Sequence, residues 1–525
     1  MNQAARRLGV FGAIVGASYA GDQASGHIPS RAGRVAYAGI ATYVDFKLHV
    51  PMRPEEKEHG ENNVVDPNMT LYKEELKKFN LRTANRLLDL CLANGGVFTK
   101  MGQQIASMNH GLPIEYTSTL SQLQDQALPV SSEIAKAAVA KELKQPVEVV
   151  FREFDDKPLA AASLAQVHRA VTVDGQEVAV KIQYPQLAVQ MGSDIWSVKQ
   201  AIRAMNYTWD IDMSWLLPEL EAALDAELDF VAEKENSRKI AHLFQKNEFV
   251  YIPKVLDEYS TKRILTMEFM HGAKITDINA IKKMNLDPVA VAKHISSLFA
   301  EMLFCSGFVH CDPHPGNLFV RKHPTLPNEA QVILLDHGLY RQLDDEFRVT
   351  FCKLWKGLLL RDNDIIDDCS TKFGIRRYAS VLPLIFTYRG MHSNNKLAGQ
   401  ISKEDREAIM KDLKSFERSN VNEFLETLPR DMLFVLRSTN LTRSLNKDLG
   451  GTSRLRFHVF GKYAVKGLVQ DHNRSKGQDQ MTWGEYFRFQ YEYLNLKSRL
   501  RLIDAAMGLY QRYHGIEVSG DKLVG

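Results

Sequence analysis

The sequence predicts an α+β fold of two lobes, and three observations lead to this prediction. Short strand-like runs rich in β-branched and aliphatic residues occur in one stretch, as in EVAVKIQY (177–184) and RILTMEF (263–269). Helical patterns precede this stretch. After Ala290 the chain is again mostly helical, interrupted by strand-like runs at 318–323 and 331–338. A small sheet followed by a mainly helical part is typical of an α+β fold with a small and a large lobe.

Length and composition agree with a folded protein of several parts. At roughly 150 residues per domain, 525 residues leave room for two to four domains. The 45% hydrophobic and 25% charged residues are ordinary for globular proteins and exclude a disordered or fibrous chain. Five scattered cysteines without a CxxC pair exclude a disulfide framework. The net charge of +3 gives no signal for nucleic acid, and no nucleic-acid partner is predicted.

The first 66 residues differ from the rest and predict a targeting segment followed by a linker. The first fifty carry five Lys or Arg but two acids, and the run 8–21 is uncharged and rich in Gly and Ala. Acid-poor, Arg-containing N-termini are typical of mitochondrial targeting. The run has 14 residues whereas a membrane span needs about 20, so membrane anchoring is an open possibility and a flexible tail is the alternative.

Element patterns then divide the remaining chain. Helical spacing predicts helices over 71–91, 98–109 and 131–143, and Asp174-Gly175 between two strand-like runs predicts a β-hairpin. The predicted divisions are 1–66, then 67–146 as a helical extension, 147–270 as the small lobe with a helical insertion, and 271–525 as a helical large lobe with a C-terminal extension.

The first chemical motif is a run of small residues, AAASLAQV (160–167), with the spacing of the kinase loop GxGxxGxV. Alanines stand where that loop has glycines. Because glycine permits backbone conformations that alanine disfavours, a loop built from alanines over phosphates is expected to be less permissive. A simple small-residue junction is the alternative. The loop residues predicted to bind the cofactor are Ala160, Ala161, Ala162, Ser163 and Val167.

Three further motifs follow in the order expected of a kinase. Lys181 ends VAVK, and a Lys on a central strand beneath such a loop can reach the phosphates of a nucleotide. In HCDPHPGN, Asp312 has the spacing of the residue that orients the nucleophile, and Asn317 that of a Mg²⁺ ligand. Asp336 of LDHG matches the second Mg²⁺ ligand, so Asn317 and Asp336 would supply oxygen donors from opposite sides of one hairpin. The predicted cofactors are ATP or ADP and Mg²⁺.

A zinc site is the sharpest alternative for the same segment. His310, Cys311, His314 and His337 are close in sequence, and His310 and His314 have the i,i+4 spacing of helical ligands. Pro313 and Pro315 forbid a regular helix there, which argues against this site.

Together these residues resemble the UbiB family of atypical kinases, also called aarF-domain-containing kinases, over roughly residues 70 to 460. The family's KxGQ signature stands as Lys100-Met101-Gly102-Gln103, and its ExD motif as Glu227-Leu228-Asp229. The wording LAQVH, HCDPHPGN and LLDHGLY is most similar to the mitochondrial branch of the family. The resemblance implies a protein-kinase-like fold in which the KxGQ helix covers the place where a peptide would bind.

The resemblance also implies regulatory and cofactor roles. Lys100 and Gln103 would meet Glu227 and Asp229 in the closed site, and Lys and Gln at i,i+3 do share one helix face. Glu233 would pair with the nucleotide lysine, although it follows Lys181 by 52 residues, so that Glu227 stays open as the partner. The stretch between them, 195–224, is predicted to be the helical insertion. Glu268, at the end of the strand-like run 263–269, and Met270, directly after it, complete the predicted nucleotide-binding set.

Three functions remain open at this point. The first is an ATPase or a kinase of a small or lipid-like molecule, which the resemblance links to lipid or coenzyme Q metabolism at a mitochondrial membrane, the inner membrane being one possibility. The second is a nucleotide-gated scaffold without turnover, suggested by the alanines of the loop. The third is a protein kinase, which needs a peptide platform that is not evident after Gly338. A lipid or isoprenoid-like molecule and a mitochondrial membrane are the expected partners, and protein partners stay open.

The C-terminal stretch 482–513 has a helical pattern, mixed charge and many aromatic residues. Such aromatic density predicts core packing, with a membrane or partner face as the alternative. The aromatic residues are Trp483, Tyr486, Phe487, Phe489, Tyr491 and Tyr493.

Overall fold

The structure is a computed structural model, and the chain divides into two compact units. Unit 1 comprises Met1–Ala232 and Val255–Phe269, and unit 2 comprises Glu233–Lys254 and Met270–Gly525. The N-terminal run 8–21, Glu227 and Asp312 lie outside the described residues. The structure describes residues 22, 25, 27–52, 67–106, 113–124, 129–209, 217, 221, 224, 228–311, 314–387, 427–474 and 482–513.

Unit 1 begins with helices and continues into an antiparallel sheet. The predicted helices over 71–91 and 131–143 are present, and residues 98–106 of the predicted helix 98–109 are helical, whereas residues 107–109 lie outside the described residues. The described helices are α1 (Ile28–His49), α2 (Pro67–Asn94), α3 (Val97–Ala106), α4 (Ile114–Leu120), a 3₁₀ turn (Ser121–Gln124), α5 (Ser132–Leu143), α6 (Val147–Val150) and α7 (Leu187–Trp209).

The sheet of unit 1 has the strand order β1-β3-β4-β6, with β2 paired to β3. The predicted hairpin is present between β3 and β4, where Gly175 has a φ of 90° that a side chain would strain. Alternate residues of β4 face the core, and Val178, Val180 and Ile182 pack with Ala135 of α5. The strands are β1 (Phe151–Phe154), β2 (Ala160–Ala161), β3 (Ala165–Thr172), β4 (Glu177–Gln183) and β6 (Ile264–Glu268).

Residues 28–49, which lie in the predicted targeting and linker segment, form helix α1, which packs on α2 and α7. Ion pairs with two buried carboxylates, Asp194 and Asp45, hold it there. Arg31 Nε donates to Asp194 Oδ1 of α7 over 2.9 Å, and Asp45 accepts from Arg82 and Arg86 of α2 at 2.8 and 2.6 Å. The sequence did not predict this helix, because the partners of its charged residues lie far along the chain.

Unit 2 contains a four-stranded sheet in the order β5-β10-β9-β7 and a two-stranded sheet of β8 and β11. Strand β10 pairs in parallel with β5 and antiparallel with β9. The strands are β5 (Val250–Tyr251), β7 (Ala273–Lys274), β8 (Phe308–His310), β9 (Leu318–Lys322), β10 (Ala330–Leu334) and β11 (Tyr340–Gln342).

Helices make up most of unit 2 around two apolar clusters, the larger centred on Phe304, Phe351, Trp355 and Phe460. Helix α8 (Phe230–Leu243) starts in unit 1 and continues into unit 2. The other described helices are α9 (Ile278–Lys283), α10 (Pro288–Ala300), a π-helical turn (Glu301–Ser306), α11 (Asp345–Leu360), α12 (Asn363–Lys372), α13 (Leu382–Thr387), α14 (Arg430–Asp448), α15 (Ser453–Arg474) and α16 (Trp483–Tyr513).

Among the described residues, one helical stretch, Pro288–Ser306, is long and apolar enough to cross a membrane by length and composition. Sixty-one per cent of its apolar window is buried inside the protein, as is common for the core helix of a globular domain. Ile295, Leu298 and Phe299 of this stretch belong to the core of unit 2. The small sheet with its helices, followed by a mainly helical unit, confirms the predicted α+β fold.

Candidate functional site

The alanine loop of unit 1 forms a tight turn between β2 and β3. Ala160 pairs with Val167, and the N–H of Ala162 donates to the carbonyl of Ala165 over 2.8 Å. The Tyr184 hydroxyl also donates to the Ala162 carbonyl at 3.1 Å. None of residues 160–167 has a positive φ. Alanine therefore fits this turn without strain, which explains why glycine is dispensable at these positions.

Lys181 lies on the central strand β4 directly beside this loop. It is paired with Val167 of β3 on one side and with Leu265 of β6 on the other. Its Nζ lies 5.0 Å from the centre of the Phe230 ring, within cation–π range. Glu268 ends β6 opposite Val178. The loop and the lysine thus occupy neighbouring strands of one sheet, as the sequence predicted.

The KxGQ helix is α3, and its glycine is a point of close packing. A Cβ on Gly102 would lie 2.3 Å from Leu123 Cδ1 and 3.0 Å from Cys91 Sγ. Gln103 Nε2 donates to the Leu123 carbonyl over 2.8 Å, so it fastens α3 to the 3₁₀ turn. Half-buried Lys100 lies on the same helix. The predicted contact between Lys100 and Glu227 remains a prediction, because Glu227 lies outside the described residues.

Asp229, predicted as a regulatory acid, has a local structural role. Its Oδ1 accepts from the backbone N–H groups of Val231 and Ala232 at 3.0 and 3.2 Å, which makes it the N-cap of α8. Glu233 follows one turn later, fully buried, on the part of α8 that belongs to unit 2.

In unit 2, the structure brings the two predicted metal ligands to the same end of one hairpin. Leu318 of β9 is paired with Leu334 of β10, and beyond this pair the Leu335 N–H donates to the Asn317 carbonyl over 2.9 Å. Asp336 is the next residue. The antiparallel register of β9 and β10 thus sets Asn317 beside the chain segment that carries Asp336.

Two hydrogen bonds hold Asp336 in place. Its Oδ1 accepts from the Gly338 N–H at 2.9 Å, which fixes the carboxylate. Its carbonyl accepts from Nε2 of fully buried His310 at 2.9 Å. His310 reaches this position because β8 pairs with β11, where it lies opposite Tyr340.

A buried polar cluster surrounds the next residue, His337. Its N–H lies 3.5 Å from Glu233 Oε1, its carbonyl accepts from Asn236 Nδ2 at 3.0 Å, and its Nδ1 lies 3.0 Å from the Tyr340 hydroxyl. Burial, reinforced by nearby Asp336, raises the pKa of Tyr340 well above its ordinary value. Glu233 therefore takes part in positioning the segment 336–338 within unit 2.

Asn236 and Tyr340 were not predicted as site residues, and His310 was considered only as a zinc ligand. The only signal for Tyr340 was its place in LLDHGLY, directly after the metal motif. The role of His310 depends on the pairing of β8 with β11, and that of Asn236 on the placement of α8, which no local pattern encodes.

The zinc alternative is not supported by the described residues. Among them, no group of three or more His, Cys, Asp or Glu side chains is placed to hold a metal ion. His310 donates to a backbone carbonyl, and His314 Nδ1 accepts from the Gly316 N–H at 3.1 Å. His310 lies on a strand and His314 before a 3₁₀ turn, so the helical spacing of ligands is not realised, as the prolines indicated.

Asn317 and Asp336 suit Mg²⁺ instead. This ion prefers oxygen donors and is commonly bound by one or two protein groups together with the phosphates of a substrate. An amide and a carboxylate at one end of a hairpin, with the carboxylate already oriented by the Gly338 N–H, meet that requirement. The residues present therefore fit the predicted ion.

Comparisons with known proteins identify the family to which the chain belongs. Residues 122–370 match the ABC1 atypical kinase-like domain. The chain is 35% identical to AarF domain-containing protein kinase 1 of Mus musculus over 79% of this chain and 80% of the relative. It is 41% identical to "Probable serine/threonine-protein kinase abkD" of Dictyostelium discoideum over 77% of this chain, but spans only 58% of that relative's length.

Among solved structures, the complex of Rv3197 with erythromycin from Mycobacterium tuberculosis matches with a TM-score of 0.46 and 19% identity, over 72% of this chain and 95% of that chain. The domain match and the relatives confirm the predicted kinase-like fold and the prediction of an atypical kinase-class enzyme. The chain therefore belongs to the ABC1, or AarF domain-containing, family of atypical kinase-like proteins.

Proposed function

We propose that the protein is an ATP- and Mg²⁺-dependent enzyme, an ATPase or a kinase of a lipid or isoprenoid-like small molecule. The observation that carries this proposal is the hydrogen bond from the Leu335 N–H to the Asn317 carbonyl, which sets two predicted Mg²⁺ ligands at one end of a hairpin. Lys181 on a central strand beside a small-residue turn supports the nucleotide part of the proposal.

In this proposal the chain's residues act mainly by positioning and by electrostatics. Lys181 holds the phosphates, and Asp312 orients the attacking hydroxyl or water. The bound Mg²⁺ would neutralise charge that develops on the phosphoryl oxygens. The Gly338 N–H keeps the Asp336 carboxylate from rotating, and His310 holds the main-chain carbonyl of Asp336, so the carboxylate is oriented before the nucleotide arrives.

We further propose that this activity serves lipid or coenzyme Q homeostasis at a mitochondrial membrane. Two features support that part: the resemblance to the mitochondrial branch of the family, and the acid-poor, Arg-containing N-terminus.

Ligand-dependent thermal stability tests the nucleotide site. Full-length protein is compared with Asp336→Asn in ATP–Mg²⁺, ADP–Mg²⁺ and Mg²⁺ alone. A nucleotide at 100 times its dissociation constant should stabilise the wild type by about 2.7 kcal/mol. Asp336→Asn should lose most of this shift. Phosphate release, measured with and without lipid vesicles, then tests turnover.

Asp287→Asn is the matched control, because Asp287 caps α10 through two backbone N–H groups and lies in none of the proposed site motifs. Asparagine caps nearly as well as aspartate, so the ligand shift should stay at the wild-type value. Equal ligand shifts in the wild type and Asp336→Asn would contradict the metal assignment. If neither nucleotide shifted the thermal stability of the wild type, the proposal of a nucleotide-dependent enzyme would be contradicted.

A nucleotide-gated scaffold remains the second candidate, suggested by the alanines that stand where the kinase loop has glycines. Turnover that Asp336→Asn abolishes would exclude it. Ala162→Gly should change the relative affinities for ATP and ADP, because glycine frees the backbone beside the phosphates. Titration of each nucleotide measures this change, and unchanged affinities for both would argue against the loop assignment. A protein kinase would have to transfer phosphate to a protein substrate, and this transfer would have to be lost in Asp312→Asn.

A further inference from the structure

The aromatic residues of α16 do not all enter the core, contrary to the packing predicted from their density. Phe489, Leu496 and Leu500 are buried against the larger cluster of unit 2. Trp483 and Tyr491 stay on the surface, 80% and 68% exposed. The sequence analysis could not separate these sets, because both consist of large apolar side chains at helical spacing.

The exposed residues form one continuous line along the helix. Their positions advance by four, four, three and eight residues, which keeps them on one side of a helix with 3.6 residues per turn. Trp483 and Phe487 touch, with ring centres 6.4 Å apart. This outward stripe consists of Trp483, Phe487, Tyr491, Leu494 and Leu502, which are 80%, 66%, 68%, 58% and 70% exposed.

The charges of α16 are divided between its two sides. Between residues 483 and 503 the helix has two acids, and both are engaged elsewhere. Glu492 accepts from Lys356 of α11 at 3.2 Å, and Glu485 accepts from the N–H of Thr482 at 2.8 Å. The basic residues border or interrupt the outward stripe; they are Arg488, Lys497, Arg499 and Arg501. The outward side of this part of the helix is therefore mainly apolar, with basic residues at its edges and with Ser498 and Arg501 between its apolar residues.

We propose that the outward stripe of α16 docks the protein on an anionic lipid bilayer, with the helix lying in the plane of the interface. Tryptophan and tyrosine prefer the headgroup level of a bilayer, and arginine and lysine at the edges are attracted to anionic headgroups. The docking surface goes beyond the proposed activity, since its chemistry makes no use of Lys181 or Asp336.

The basic residues beside the outward stripe favour an anionic bilayer over a second copy of this chain as the binding partner. Two copies that packed stripe against stripe would bring Arg488 and Arg499 of one helix close to the basic edges of the other, and like charges in contact destabilise an interface. An anionic bilayer offers the complementary charge together with an apolar layer. A membrane-bound substrate of the proposed kind would then be reached by a protein already at the surface.

A fluorescent label on the stripe tests this docking directly. Ser498 is exposed and lies four residues from both Leu494 and Leu502, so Ser498→Cys carries an environment-sensitive NBD dye into the centre of the stripe. Ser444→Cys, exposed on α14, is the matched control. The native cysteines are all buried and should stay unlabelled. The full chain is mixed with phosphatidylcholine vesicles with or without phosphatidylglycerol.

We expect NBD emission at position 498 to rise severalfold with the anionic vesicles, to rise little with neutral vesicles, and to stay constant at position 444. The added substitutions Phe487→Ser and Tyr491→Ser should weaken binding measured at 498 by about tenfold or more, because two aromatic side chains no longer leave water. Leu326→Ser, on an exposed loop of unit 2, should leave binding unchanged.

Two results would overturn the proposal. If the chain floats with vesicles while the label at 498 stays dark, another segment binds the membrane and α16 does not. If emission at 498 rises with protein concentration in the absence of vesicles, the stripe joins copies of the chain instead. Neither result bears on nucleotide binding, so it leaves the proposed enzyme as it stands.

Discussion

At Gly102 the missing side chain allows α3 to lie against α2 and the 3₁₀ turn. Gly102→Ala should lower the unfolding free energy by about 1–3 kcal/mol, because the new Cβ would lie 2.3 Å from Leu123 Cδ1 and 3.0 Å from Cys91 Sγ. Thermal unfolding of the full chain measures this. In Gly192→Ala, where no neighbouring atom lies within 4 Å of the added Cβ, stability should rise by about 0.5–1 kcal/mol. Equal responses of the two variants would contradict this account.

Arg456 is a buried charge that its surroundings compensate poorly. Its side chain is 1% exposed and lies over the rings of Phe457 and Phe460, and its Nε makes no hydrogen bond with a described residue. Burial, and then nearby Arg443, lower its pKa to about 9. We expect Arg456→Met to raise the free energy of unfolding by about 1–2 kcal/mol, since apolar replacements of poorly compensated buried charges are often stabilising.

Arg348 serves as the control for this substitution. It is equally buried, but it donates to the carbonyls of Phe304 and Gly467 and pairs with Asp345. Arg348→Met should therefore destabilise unit 2 by about 2–4 kcal/mol, because those buried carbonyls lose their donors. Chemical denaturation measures the free energy of unfolding of both variants. If Arg456→Met lost as much stability as Arg348→Met, the charge of Arg456 would be compensated in the folded protein.

At the scale of elements, α1 is held by ion pairs whose strength should depend on pH. The hydrogen bond from Arg82, aided by Arg86, lowers the pKa of Asp45 from 3.8 to about 2 against the opposing effect of burial. A carboxyl with a lowered folded pKa contributes stability that is complete above its unfolded pKa. This contribution, about 2 kcal/mol, should be lost as the pH falls from about 4 to about 2.

Asp45→Asn should remove that contribution at pH 7, and the stability of the variant should fall less than that of the wild type between pH 4 and pH 2. Urea denaturation at several pH values measures both. Asp368→Asn breaks an exposed pair with Lys372 and should cost at most about 0.5 kcal/mol. Parallel pH curves for the wild type and Asp45→Asn would contradict the role given to Asp45.

Local patterns predicted those elements whose signal lies within a few residues. The β3–β4 hairpin followed from Asp174-Gly175, and the helices α2, α3 and α5 from their apolar spacing. The neighbourhood of Asn317 and Asp336 could be predicted because both flank one hairpin. The contact of His310 with Asp336 could not, because it depends on the pairing of β8 with β11. The docking of α1 depends equally on distant partners such as Asp194.

At the scale of the whole molecule, the order of a small sheet and then helices predicted two parts, but not that the chain first passes from one part to the other inside a helix. The units divide between Ala232 and Glu233, within α8. Because the helical sequence pattern continues across this boundary, no local feature of the sequence indicates where the boundary lies. Burial of the two sides of α16 was also beyond prediction, because it depends on the neighbouring helices α11 and α15.

All five cysteines of the chain are buried free thiols distributed over both units. Burial raises the pKa of Cys91 to about 12 and that of Cys369 to about 11, so both thiols stay protonated at neutral pH. The native protein should therefore react with almost no thiol reagent, whereas all five thiols should react in denaturant. Absorbance of released thionitrobenzoate measures this, and fast reaction of one thiol in the native state would contradict its burial.

The chain passes between the two units three times, at Ala232, at Lys254 and at Phe269. A fragment that ended at Ala232 would lack β6, the strand that pairs with β4. A fragment that started at Met270 would lack β5, the parallel partner of β10. A single break in the gene can thus release one unit with its sheet complete only by leaving the other unit without one of its strands. Recombination that keeps both sheets complete would have to transfer the two units together.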